Sequence, residues 1–145
     1  MPALPTSRSP VTRQAVFGGA DGLVLVAGLI ATLGAVQPHA VVRAAVGAGL
    51  AEMVGMSAGA WLSDSEGGPK AALANGAAAC LACVAPSLPY AAATGAPAVL
   101  ASGVLVVAVA GVIARLRPER GLLAVAETYG VLAAAALLCW LTSLI

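Results

Sequence analysis

Three carboxylic acids stand inside long apolar stretches of this chain: Asp21, Glu52 and Glu127. An ionised acid at the centre of a membrane helix costs roughly 2.5 to 3.5 kcal/mol on insertion scales, so it persists there when hydrated, paired or bound to a cation. Glu52 and Met56 are spaced i and i+4 and share a helix face, with Met53 one residue round from Glu52. Carboxylate oxygen suits Fe2+ or Mn2+, and a thioether adds softer character. Two acids and a methionine on one passage therefore describe a stepping path for a divalent transition metal, and the same carboxylates would exchange protons. Plainer roles stand beside this one. Asp21-Gly22 after Gly18-Gly19 also reads as an N-cap at a helix break. Glu127 is shallow enough to snorkel to water, and Met53 and Met56 are residue types that fill irregular cores.

The elements that must position these residues follow from composition. The chain has 145 residues, 61% of them apolar, 9% charged and 3% aromatic, against about 25% charged in an ordinary soluble domain. Seven Lys or Arg against six Asp or Glu leave a net charge of +1 with no basic run, which excludes nucleic acid as a partner. The apolar content falls into five stretches, 15–36, 40–62, 71–93, 96–114 and 122–145, each long enough to cross a hydrocarbon core of about 30 Å as a helix. The expected fold is all-α, a polytopic protein of five transmembrane helices in the lipid bilayer. Residues 1–14, with Pro2, Pro5 and Pro10 and no apolar period, read as a disordered cytosolic tail before a five-helix domain at 15–145. The breaks carry turn chemistry: Gln37-Pro38-His39, the run from Ser63 to Lys70 with Gly67-Gly68-Pro69, Thr94-Gly95 before Pro97, and Arg115 to Gly121 around Pro118.

Arg8, Arg13, Lys70, Arg115, Arg117 and Arg120 fall on one side of this arrangement and only Arg43 near the other, so the N-terminus and the second and fourth loops are expected in the cytosol. A cleaved signal peptide is the alternative reading of the first stretch, disfavoured by Asp21 and by the length of the run. Counted along the helical rise, Asp21, Met56 and Glu127 lie roughly 8 to 9 Å inside the cytosolic boundary and Glu52 at about 15 Å, the midplane. Arg43 is nine residues from Glu52 and Arg13 eight from Asp21, so no base balances an acid within its own helix. Gly47, Ala51, Gly55 and Gly59 form a stripe of small residues on the second helix, and Gly18 and Gly22 repeat the spacing on the first. Such stripes let helix backbones approach closely, within one chain or across a two-fold dimer. No internal repeat is visible, which disfavours an inverted-repeat transporter in one chain.

The remaining signals are weaker. Cys80 and Cys83 form a C-x-x-C inside an apolar helix, without the further Cys or His that zinc needs, and Cys139 stands alone. Asn75 is placed to hydrogen-bond another helix, Pro86 and Pro89 to kink the third, and His39 to sit in water. Pro86 to Tyr90 offers free carbonyls near a gate. No nucleophilic triad, H-E-x-x-H or phosphate loop occurs, so the chain does not read as an enzyme or as a holder of a resident cofactor.

The runs QAVFGGADGLVLVAGL at 14–29, GLAEMVGMSAGAWLS at 49–63 and APSLPY at 85–90 resemble the vacuolar iron transporter family, which includes the nodulin-like transporters, over nearly the whole chain from Arg13. The resemblance implies a homodimer of five-helix subunits moving Fe2+, and often Mn2+, out of the cytosol against protons. The family's first-helix acid matches Asp21 and its second-helix methionine matches Met56. An acid in the second helix matches Glu52 across a gap, and Glu127 matches no motif position. The chain departs from the family at Gly59-Ala60-Trp61-Leu62-Ser63, where many members have Glu in a G-E-Y-L-S run. Residues 63–70 stand where the long cytosolic metal-binding helices usually follow, as in the shorter nodulin-like members, with Asp64 and Glu66 the only acids there.

The expected function is export of Fe2+ or Mn2+ by proton antiport, with Asp21, Met56 and Glu127 at cytosolic entry and Glu52 as midplane relay. The expected location is the plasma membrane if the source is prokaryotic. The competing readings are a proton-coupled exporter of organic cations, for which few aromatics are present to stack, and a non-transporting membrane scaffold whose acids pair between helices.

Overall fold

A computed structural model describes residues 9–34, 37–63, 67–117 and 122–142. All regular elements among them are helices: α1 Pro10–Leu33, α2 Pro38–Leu62, α3 Gly68–Val84, a single 3-10 turn Ala85–Ser87, α4 Pro89–Ala92, α5 Ala96–Leu116 and α6 Leu122–Thr142. Taking Gly68–Ala92 as one unit, five helices are long and apolar enough to cross a membrane. Their exterior suits hydrocarbon, with Val54, Leu62, Leu100 and Leu122 all largely exposed.

Boundaries follow local chemistry. The first helix starts at Pro10 rather than at residue 15, because Ser9 caps it, its Oγ accepting from the Thr12 amide at 3.3 Å, and proline fits the first helical position. Residues 10–14 are therefore helical, not part of a tail. The expected tail at 1–8, the acids Asp64 and Glu66, the loop residues Pro118 and Arg120, and the last residues of the fifth stretch lie outside the described residues. α3 begins after Gly67, whose φ of 105° is open to glycine and whose missing side chain leaves room for the ring of Pro10. The expected kink in the third span is present: Pro86 and Pro89 lack the amides a continuous helix needs, and the chain passes through the 3-10 turn into α4.

α3 is the packing centre, lying between α1 and α2. Its small residues Ala71, Ala72, Gly76, Ala79 and Ala82 are buried. A side chain on Gly18 or Gly22 of α1 would collide with the carbonyls of Asn75 and Ala79, so the two backbones touch there. On the other flank Gly76 admits the carbonyl of Met53 and the hydroxyl of Ser57 from α2. The stripe at Gly47, Gly55 and Gly59 behaves differently: nothing lies within 4 Å of where their side chains would be, and Ala51 is exposed. Inside one chain the close approach belongs to Gly18 and Gly22, whereas the α2 stripe is uncovered, Gly55 and Gly59 lining an open cavity and Gly47 and Ala51 lying exposed.

Candidate functional site

Two cavities flank the first turns of α1. The first, of about 600 Å³, lies where the start of α1 meets the end of α2, between Arg13, Gln14, Phe17, Met56, Ser63 and Asn75. Helices α1 and α2 are antiparallel here, and Phe17 and Met56 both line the cavity. One turn deeper on each helix stand the acids, Asp21 four residues beyond Phe17 and Glu52 four before Met56. The half-buried thioether of Met56 thus stands between an open cavity and a pair of carboxylates.

Glu52 is half-buried, and its Oε2 is buried with no hydrogen-bond partner among the described residues. Asp21, exposed on α1, is close enough for its charge to act on Glu52. No described ion pair engages either acid. Two negative charges within electrostatic reach in an apolar bundle repel, and a cation or proton nearby relieves that repulsion. Cys83 of α3 is near Glu52, but its Sγ donates to the carbonyl of Ala45 at 3.4 Å and it is fully buried. None of Cys80, Cys83 and Cys139 is in a disulfide. Among the described residues no group of three or more His, Cys, Asp or Glu is arranged to hold a metal. What the acids form is a two-carboxylate pair with a thioether one turn away, a set suited to transient hold of a partly hydrated cation rather than to a closed cage.

Asn75 positions this region. It is 3% exposed, and its Nδ2 donates to the carbonyl of Met56 at 3.4 Å. Its Oδ1 rests against Gly18 without a hydrogen-bond donor among the described residues. One α3 side chain therefore ties α2 at Met56 to α1 at Gly18. From the sequence Asn75 was expected only to bond another helix. Its place in the cavity wall follows from Gly18, whose lack of a side chain admits it.

Glu127 is elsewhere. It lines a second cavity of about 440 Å³ between α1, α5 and α6, and its Oε2 is 2.7 Å from Nη2 of Arg117. Arg117 ends α5, and its Nη1 also reaches the carbonyl of Ala124 and the hydroxyl of Thr128 at 3.5 and 3.4 Å. The structure therefore brings Asp21, Glu52 and Met56 to one region and sets Glu127 apart with its own base. Arg117 escaped the sequence reading because a base at a helix end, ten residues from the acid, shows its pairing only when the connection folds back.

Comparison with protein-family models, curated proteins and solved structures gives no match to this chain.

Proposed function

We propose that this chain is a membrane transporter that exports Fe2+ or Mn2+ from the cytosol in exchange for protons, through the Asp21–Glu52 pair. One observation carries the reading: a buried carboxylate oxygen of Glu52, without a hydrogen-bond partner among the described residues, on which the charge of a second acid, Asp21 of α1, acts. A structural acid in such a place is expected to be matched by a base or by donors, as Glu127 is matched by Arg117.

In this reading the cation enters the cavity at Arg13, Gln14 and Ser63, sheds part of its hydration at the Met56 thioether and passes to Asp21 and Glu52. There the two negative charges offset its loss of water. Protons arriving from the other face displace the metal, and the protonated acids return without carrying charge across the apolar bundle. The resemblance of 14–29 and 49–63 to vacuolar iron transporters supports this cycle, as does the distribution of Arg and Lys, which favours a cytosolic N-terminus. The plasma membrane of a prokaryote is the location that fits. Gly47 and Ala51 of α2, exposed in the single chain and outside the cavity lining, support a homodimer, since small residues there leave a close-packing surface uncovered. Glu127 stands outside the path, because Arg117 already answers its charge.

The test is metal entry into vesicles holding a metal-sensitive dye, with and without a pH gradient, for the parent chain, Asp21→Asn and Glu52→Gln. Entry of Fe2+ or Mn2+ that needs both acids supports the transporter. No entry above empty vesicles, from folded and correctly oriented protein, overturns it and brings forward the organic-cation or scaffold reading.

A further inference from the structure

We infer that Tyr90 is a movable plug that seals the α1–α2 seam at the end opposite the open cavity, and that the proline-broken segment carrying it swings to let the cargo leave. The inference rests on the transport reading for its cargo; the plug itself rests on packing.

The two ends of this seam differ. At one end the cavity of about 600 Å³ opens between the start of α1 and the end of α2. At the other, Tyr90 is fully buried with Val41 of α2 and Ala98 of α5, and Ile30 and Leu33 of α1 pack against the same cluster. Its hydroxyl lies against Gly34, where an added Cβ would meet it at 2.5 Å, so the ring needs that glycine to close. Val41 is eleven residues from Glu52 and Gly34 thirteen from Asp21, which sets Tyr90 about 16 to 20 Å beyond the acids on the same two helices.

The seat is a poor one for a tyrosine that never leaves it. Its hydroxyl is buried with no hydrogen-bond partner among the described residues, whereas that of Tyr129 donates to the carbonyl of Val107 at 2.9 Å. A hydroxyl held from water without a partner destabilises the state that buries it, and movement of the ring into water relieves this. Ser102, one turn from Ala98 on α5, is a second buried hydroxyl without a described partner, so water that follows the departing ring finds another polar group. The mount suits such a movement. Tyr90 rides on α4, four residues long, between the breaks at Pro86 and Pro89 and those at Ala93, which is extended, and Gly95, whose φ is 68°. The short turn can pivot at both breaks without unwinding α3 or α5.

The test places a reporter behind the plug. Val41→Cys in the full chain, purified in detergent, is treated with a water-soluble maleimide, and labelling at that position is counted by peptide mass spectrometry. With Tyr90→Phe, which keeps the ring and removes the unpartnered hydroxyl, labelling should slow roughly fivefold or more, the factor that one such group supplies. Gly34→Ala, which crowds the hydroxyl out of its seat, should speed it. Val26→Cys, fully buried in the other core cluster, should stay protected, which separates opening from unfolding. Where Gly34→Ala exposes both positions, the Tyr90→Phe comparison alone decides. Labelling at position 41 that is unchanged by Tyr90→Phe, or absent from every sample, overturns the proposal. Mn2+ should speed labelling at position 41 in the parent and not with Glu52→Gln. Loss of that response alone, with the effect of Tyr90→Phe intact, leaves the plug standing and contradicts metal as its cargo.

Discussion

Arg117 holds Glu127 by a 2.7 Å ion pair across the start of α6, whereas the acid pair of Asp21 and Glu52 has no described base. That difference divides three intramembrane acids with the same sequence-level description into one answered by protein and two left for a cation or a proton. Glu127→Gln should therefore leave metal entry close to that of the parent, since Glu127 is paired with Arg117 away from the cavity that Met56 lines. Glu52→Gln should abolish entry. Loss of entry in both would return Glu127 to the path, and vesicle flux measured side by side distinguishes the two.

Met56 lines the open cavity one turn from Glu52, and it is the sulfur donor among the described residues of that lining. Met56→Leu keeps its volume and removes the sulfur. Entry of Fe2+ should fall more than entry of Mn2+, because the harder ion depends less on a thioether. A competition assay with both ions present reads the ratio directly. An unchanged ratio would make Met56 a packing residue.

Protons and metal compete for the same two carboxylates. Lowering the pH on the loading side protonates them and should weaken apparent metal affinity there, while lowering it on the opposite side should accelerate release and turnover. In Asp21→Asn the loading-side effect should shrink. A flux whose affinity is indifferent to loading-side pH would separate the acids from the metal.

The two glycine stripes should respond differently to a side chain. Gly22→Leu drives atoms into the Ala79 carbonyl and should destabilise the fold by about 2 kcal/mol or more, the range of overpacked cores. Gly47→Leu meets nothing within 4 Å inside the chain, so the fold should stay within about 0.5 kcal/mol of the parent, while the dimer weakens. Denaturation in detergent with light scattering on the same samples checks both. Equal unfolding by the two substitutions would contradict the packing described.

The helices were legible because spanning apolar length leaves few alternatives, and the break in the third span was legible because prolines withhold amides. Ser9-Pro10 carried a cap signal too, but the proline-rich residues ahead of it masked the helix start. The stripes were legible as surfaces for close approach, yet spacing alone does not say which one meets α3. Gly18 and Gly22 do so because they face the carbonyls of Asn75 and Ala79. Glu52 and Met56 were placed on one face by helical period, and Asp21 was brought to them only by the packing of α1 and α2 around α3. Depth alone grouped Glu127 with them, and depth carries no information about which way a helix is turned.

The central claim is that Asp21 and Glu52 exchange a metal for protons, and the most direct measurement follows both species at once. Vesicles containing the protein and a lumenal pH dye, without an imposed pH gradient, are given Mn2+ outside. Mn2+ entry should be matched by proton exit, so that lumenal pH rises, and neither should occur with Glu52→Gln. Mn2+ entry with no change in lumenal pH, or an unchanged response in Glu52→Gln, would contradict the account.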